Sequence, residues 1–242
     1  MRRRGIAAVF AVAAGLLLAA APSAGASTQA PATYGDFSLM FGKSAGQYFA
    51  GGTVAGQWAW SPESATTSDI SWGDPATWPP AYAERFILSG NWVELDGYSN
   101  GAGQPVTEVQ RVSSETIGDA NCANMVPLPS DGGRQHYVRW TIPAEGYCLD
   151  AIGTITSTAN GSIVHFEHKQ QWGGPVPCAN AYLSGNTCIT QHEQWSDDNG
   201  HPYGPQIDRT QYIAQGLGMA FEIRNTVPID WAADGRYYWK WQ

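Results

Sequence analysis

Apolar and polar residues alternate with a period of two through most of the chain, the signature of half-buried β-strands. The clearest case runs from Thr154 to Glu167. Ile155, Ala159, Val164 and Phe166 have one parity, and Thr154, Thr156, Thr158, His165 and Glu167 have the other. Asn160-Gly161 lies between the two halves, the strongest short-range signal for a two-residue type I′ hairpin turn. That turn predicts Ile155 opposite Phe166, Thr156 opposite His165 and Thr154 opposite Glu167. A hairpin of this kind packs its apolar face on a core and turns its polar face outward.

Similar alternation predicts strands within 47–60, 84–98 with a break near Ser89-Gly90, 106–117, 136–142, 217–224 and 236–242. Phe37 to Phe41 is a short apolar run, and 61–80 reads as a loop rich in Ser, Thr, Pro and Trp. A further strand is expected over 187–195, with Gln191, Glu193 and Trp195 on one face and His192 and Gln194 on the other. A strand polar on both faces is unusual against a core. The one helix expected is 208–215, stopped by Gly216. About ten strands with turn signals every 8–12 residues predict an all-β fold. The expected form is an antiparallel β-sandwich or jelly roll with two disulfides, and a closed β-barrel is the alternative.

The N-terminus adds a destination. Met1-Arg2-Arg3-Arg4, an apolar run and the small residues Ala24-Gly25-Ala26 read as a secretory signal peptide over 1–26. Residues 27–36 read as a flexible segment and 37–242 as a single β-rich domain. Cleavage removes three of the 13 basic residues against 21 acidic ones, moving the formal charge from −8 to −11. An acidic exported chain is repelled by nucleic acid and by anionic membranes. No partner of either kind is expected after cleavage, and the localisation expected is extracellular. Four cysteines in an oxidising compartment predict two disulfides, Cys122–Cys148 and Cys178–Cys188 by proximity in sequence.

Candidate chemistry follows from the polar face of the hairpin. Threonines, a carboxylate and an imidazole supply donors and acceptors for hydroxyl groups, and a neighbouring indole supplies a stacking surface. Thr154, Thr156, His165, Trp172 and Trp195 are therefore candidate ligand-binding residues. Glu167 and Glu193 are the candidate catalytic carboxylates, since glycoside hydrolysis needs two flanking one bond. Of the eleven tryptophans, Trp140 reads as core, whereas Trp72, Trp78, Trp172 and Trp195 sit in or beside polar stretches. The expectation is a secreted protein that binds a neutral polysaccharide or acts on glycosides through an aromatic- and carboxylate-lined groove. The alternative is a non-catalytic secreted interaction protein, an inhibitor or envelope-associated factor. A metal-dependent extracellular enzyme using His165, Glu167, His192 and His201 ranks third. No CxxC, HxH, HExxH, GxSxG or phosphate-loop spacing is present, and no cofactor or metal is expected.

Overall fold

The computed structural model describes residues 32–37, 44–50, 53–73, 83–129, 131–141, 145–178, 185–197, 206–216, 218–224, 227–233 and 236–237. Residues 1–26, read above as a signal peptide, and Trp78 and His201 lie outside them. Trp72 is described by its backbone alone. Sixteen strands fill these stretches: β1 (Ser44–Ala50), β2 (Thr53–Pro62), β3 (Thr67–Gly73), β4 (Ala83–Ser89), β5 (Trp92–Ser99), β6 (Val106–Asp119), β7 (Val126–Pro127), β8 (Gln135–Arg139), β9 (Tyr147–Ser157), β10 (Ile163–Trp172), β11 (Val176–Pro177), β12 (Thr187–Asp197), β13 (Gln206–Ala214), β14 (Gly218–Arg224), β15 (Val227–Ala233) and β16 (Arg236–Tyr237). Two short 3₁₀ turns are the only helical elements among the described residues.

Every pairing is antiparallel, in the order β7-β6-β9-β10-β12-β13-β14-β15-β1-β2-β3-β4-β5-β8. The sheet folds back so that β4, β5 and β8 lie over β10, β12 and β13. Glu84, Leu95, Tyr98 and Tyr137 from the first group face His168, Glu193, Trp195 and Arg209 from the second. The alternative of a closed barrel is not realised. The second edge of β5 is divided, with Trp92–Leu95 on β8 and only the short stretch Gly97–Ser99 on β6. The fold is thus an all-β, sandwich-like arrangement with both disulfides in the expected pairing, Cys122–Cys148 and Cys178–Cys188.

The hairpin of β9 and β10 forms, but two residues out of the expected register. Thr154 pairs with His165, Ile155 with Val164 and Thr156 with Ile163. The connection is four residues, 158–161, closed by the Ser157 amide on the Ser162 carbonyl and the Gly161 amide on the Ser157 carbonyl. Gly161 alone takes a positive φ, +71°, whereas a type I′ turn needs it at both central residues. Asn160 accepts the Ser162 amide at 2.9 Å instead. A slip of two preserves parity, so Ile155 and Phe166 still point inward and Thr154, Thr156, His165 and Glu167 outward.

Two element assignments change. Residues 206–214 form β13, not a helix, because they pair along nine positions with β12. Arg209, Gln211 and Ile213 are its inward positions. Within the expected loop 61–80, Thr67–Gly73 forms β3, where Asp69 is buried and takes a double contact from Arg85 at 2.9 Å. Packing also begins earlier than expected. Tyr34 is fully buried edge-on against Tyr147 and Trp172, each 5.5 Å away.

The interior is part apolar and part polar. Phe86, Val93, Leu95, Val138, Leu149, Ile155, Phe166 and Ile189 form its apolar portion. Gln110, Gln135, His168, Gln170, Gln191, Gln211 and Glu193 are buried among them. Such groups are tolerated inside only when hydrogen-bonded.

Candidate functional site

Inward and outward faces of β9, β10 and β12 sort the candidate residues into two sets. On the outward face, Thr154 lies directly opposite His165, and Thr156 is one pleat further along. Glu167 is on the same face, its Oε1 2.7 Å from the ammonium of Lys169. These four side chains share one surface, as expected. Trp172, Glu193 and Trp195 do not join them. Trp172 is 2% exposed and donates its indole N–H to the Tyr137 carbonyl and to Gln170 Oε1. Trp195 is 6% exposed and stacks on Phe166, with centroids 4.8 Å apart and planes 8° from parallel. Glu193 is inside as well. Glu167 and Glu193 therefore point to opposite faces of one sheet and do not converge on a common cleft. The physical reason is the core: Ile189 has the parity of Gln191, Glu193 and Trp195, and its burial turns that whole face inward.

Strand β12 does extend the outward face, through the residues that alternate with these. The registers place Asp150, Lys169, Gln194 and Asp208 in one cross-strand row, and Cys148, Gln171, His192 and Thr210 in the next. Between them and the loop after β6 lies an open groove of about 290 Å³. Its walls include Met125, Asp150, Lys169, Gln171, His192 and Gln194, with the Cys122–Cys148 disulfide at one end. The Gln171 amide donates to the Ala120 carbonyl at 2.7 Å. His192 Nε2 and Gln194 Nε2 reach the two oxygens of Asp208 at 3.0 and 2.9 Å. The Gln194 amide, then His192, hold the Asp208 carboxyl below its ordinary range. Burial pushes the Asp150 carboxyl upward against the pull of Lys169, and no hydrogen-bond donor meets its Oδ1.

The inward face carries a hydrogen-bonded chain between the layers. Tyr98 donates its hydroxyl to Gln110 Oε1 at 2.6 Å. Gln110 Nε2 donates to Gln135 Oε1. Gln135 Nε2 donates to His168 Nδ1 at 2.6 Å, and His168 Nε2 lies 2.9 Å from Glu193 Oε1. Arg209 closes the other end, donating from Nε to Glu193 Oε2 at 2.7 Å. Burial works to raise the Glu193 carboxyl, but Arg209 and then His168 hold it well below the carboxylate range. The cavity beside this chain measures about 20 Å³. That is room for about one water molecule and far too little for a sugar ring. Nearby, the buried His136 makes a 2.6 Å contact through Nδ1 to Glu115. Burial raises Glu115, and the bond to His136 opposes it. Among the described residues, no group of three or more His, Cys, Asp or Glu side chains is placed to hold a metal.

No protein-family model, curated protein or solved structure matches the chain. Of the groove residues, the pattern singled out His192 alone, as a candidate metal ligand; Asp150, Lys169, Gln171 and Gln194 were not among its candidate site residues. Parity carries the signal that finds them. Phe166 inward makes Lys169 and Gln171 outward, and Ile189 inward makes His192 and Gln194 outward.

Proposed function

We propose that this is a secreted protein that binds a neutral glycan in the groove across β9, β10 and β12. The observation that carries the reading is the groove itself, open, polar and walled by two amides, an imidazole, a carboxylate and an ammonium. Sugar hydroxyls donate and accept at such groups, and the sulfurs of Met125 and the Cys122–Cys148 bridge supply apolar surface for ring faces. Each exposed hydrogen bond yields about 0.5–1.5 kcal/mol net, so affinity is modest. Export is supported by the leader-like N-terminus and the two disulfides. No helix among the described residues is long and apolar enough to cross a membrane. Binding, rather than hydrolysis by Glu167 and Glu193, is the reading favoured, because those two carboxylates open to different sides of the sheet.

The test is a calorimetric titration with soluble neutral polysaccharides. Gln171→Ala and Gln194→Ala each weaken binding several-fold with little change in melting temperature. Trp195→Ala instead destabilises the fold by about 3–5 kcal/mol, as a buried aromatic does, without a selective effect on binding. The outward face also exposes Ile152 and Ile163, at 50% and 53%. If the wild type binds no glycan, those residues favour the alternative of a secreted interaction protein.

A further inference from the structure

The hydrogen bonds already made within the groove leave it one-sided. Each of its nitrogen donors has a protein acceptor: Lys169 on Glu167, Gln171 on the Ala120 carbonyl, and His192 and Gln194 on Asp208. The side-chain acceptors are not matched in this way. Among the described residues, no hydrogen-bond donor reaches Asp150 Oδ1, and Gln171 and Gln194 make their bonds through Nε2. Asp150 lies in the same cross-strand row as Lys169 and Gln194, on the wall of the groove. Oδ1 itself is closed to solvent, so a ligand in the groove meets the carboxyl group on its open side. A ligand that brings a donor to a carboxylate gains a hydrogen bond there. A charged donor does so about twice as strongly as a neutral one. The surrounding charge is acidic on balance: Asp150, Glu167 and Asp208 share this outward surface with one cation, Lys169, on a chain of net charge −8.

We propose that Asp150 is the specificity-determining residue of the groove, selecting a glycan unit that presents a donor: an amino-sugar ammonium ahead of a hydroxyl, and either ahead of a carboxylate. This rests on the glycan-binding reading of the same groove. Among the glycans the groove binds, it adds a preferred class, those carrying free amino groups, and names the residue that reads the amine. Asp150 seats the ammonium, while the carbonyl oxygens of Gln171 and Gln194 accept from neighbouring hydroxyls. Uronate polymers are rejected because Asp150, Glu167 and Asp208 on this surface outnumber its one ammonium, Lys169, and repel a carboxylate.

The experiment is a set of titrations at one pH and ionic strength. The probes are a β-linked glucosamine oligomer, its N-acetylated counterpart, a neutral glucan oligomer and a uronate oligomer. Wild type binds the amine form about tenfold more tightly than the N-acetylated form, and the uronate not at all. Asp150→Asn reduces the amine preference to within about twofold while retaining the neutral oligomers. Glu63→Gln removes the same charge from an exposed site outside the groove and keeps the preference. Equal binding of amine and N-acetylated forms by wild type, or an undiminished preference in Asp150→Asn, overturns the assignment while leaving the glycan reading intact. Loss of the preference in Glu63→Gln also overturns it, since overall charge would then explain the attraction. Failure of wild type to bind any of the four oligomers removes the underlying reading, and this assignment with it.

Discussion

Glu193 shows how one buried charge is made tolerable. Arg209 and His168 approach its two oxygens at 2.7 and 2.9 Å, and the rest of the chain to Tyr98 fixes the imidazole. Removing one member of a buried ion pair strands the other, at a cost of about 3–5 kcal/mol. Glu193→Gln is therefore expected to lose about that much in urea unfolding. Glu167→Gln, whose partner Lys169 is half-exposed, is expected to change stability by less than about 1 kcal/mol. The pH dependence has a definite sign. Because Glu193 titrates lower when folded, its contribution is complete above the unfolded value of about 4.3 and fades as pH falls toward the folded one. The stability gap between wild type and Glu193→Gln should narrow below about pH 4. A gap that stays constant from pH 7 to pH 3 contradicts this account of the pair. The strand position of Glu193 was legible in the sequence, but its burial was not. An outward-facing glutamate and an inward one bonded to an arginine sixteen residues away have the same local pattern.

At the scale of elements, alternation recovered most strands and failed where interior positions are polar. In β13 the inward Arg209 and Gln211 hide the period of two, and the stretch reads as a short helix before Gly216. Gly216 does end the element, at φ +69°, with its amide bonded to the Asp36 carbonyl. In the β9–β10 hairpin, Asn160-Gly161 marked the place of the turn but not its length. The Thr158 amide and hydroxyl both donate to the Thr107 carbonyl, a contact from β6 that no local signal carries. Gly161 is the only residue of the four-residue connection at positive φ, and a Cβ there would meet nothing within 4 Å. Gly161→Ala is thus expected to cost about 1 kcal/mol through the backbone alone. Amide exchange should accelerate at Ser157 and Ser162 without disturbing Phe166. A neutral result in thermal melting would mean that the turn relaxes into another conformation.

Across the whole molecule, the all-β class, the sandwich-like packing and both disulfide pairings followed from turn spacing and cysteine count. The candidate site was half legible. The outward set of Thr154, Thr156, His165 and Glu167 forms one surface, while Trp172, Glu193 and Trp195 belong to the interior. Parity could not be carried from β10 to β12 across an intervening loop of undetermined length, so the two faces were joined wrongly. The same alternation then makes one sheet serve two purposes. Its inner face holds the layers together through a polar chain, and its outer face carries a groove in which Asp150 Oδ1 meets no hydrogen-bond donor among the described residues. Chemical-shift mapping locates the bound ligand on one face or the other. Amide and side-chain spectra of the labelled protein are recorded during titration with a glucosamine oligomer. The account predicts shifts at Asp150, Lys169, Gln171, His192 and Gln194, including the side-chain NH₂ signals of the two glutamines, with the indole signals of Trp172 and Trp195 unmoved. Shifts centred on Trp195, His168 and Glu193, or none at saturating ligand, would contradict it.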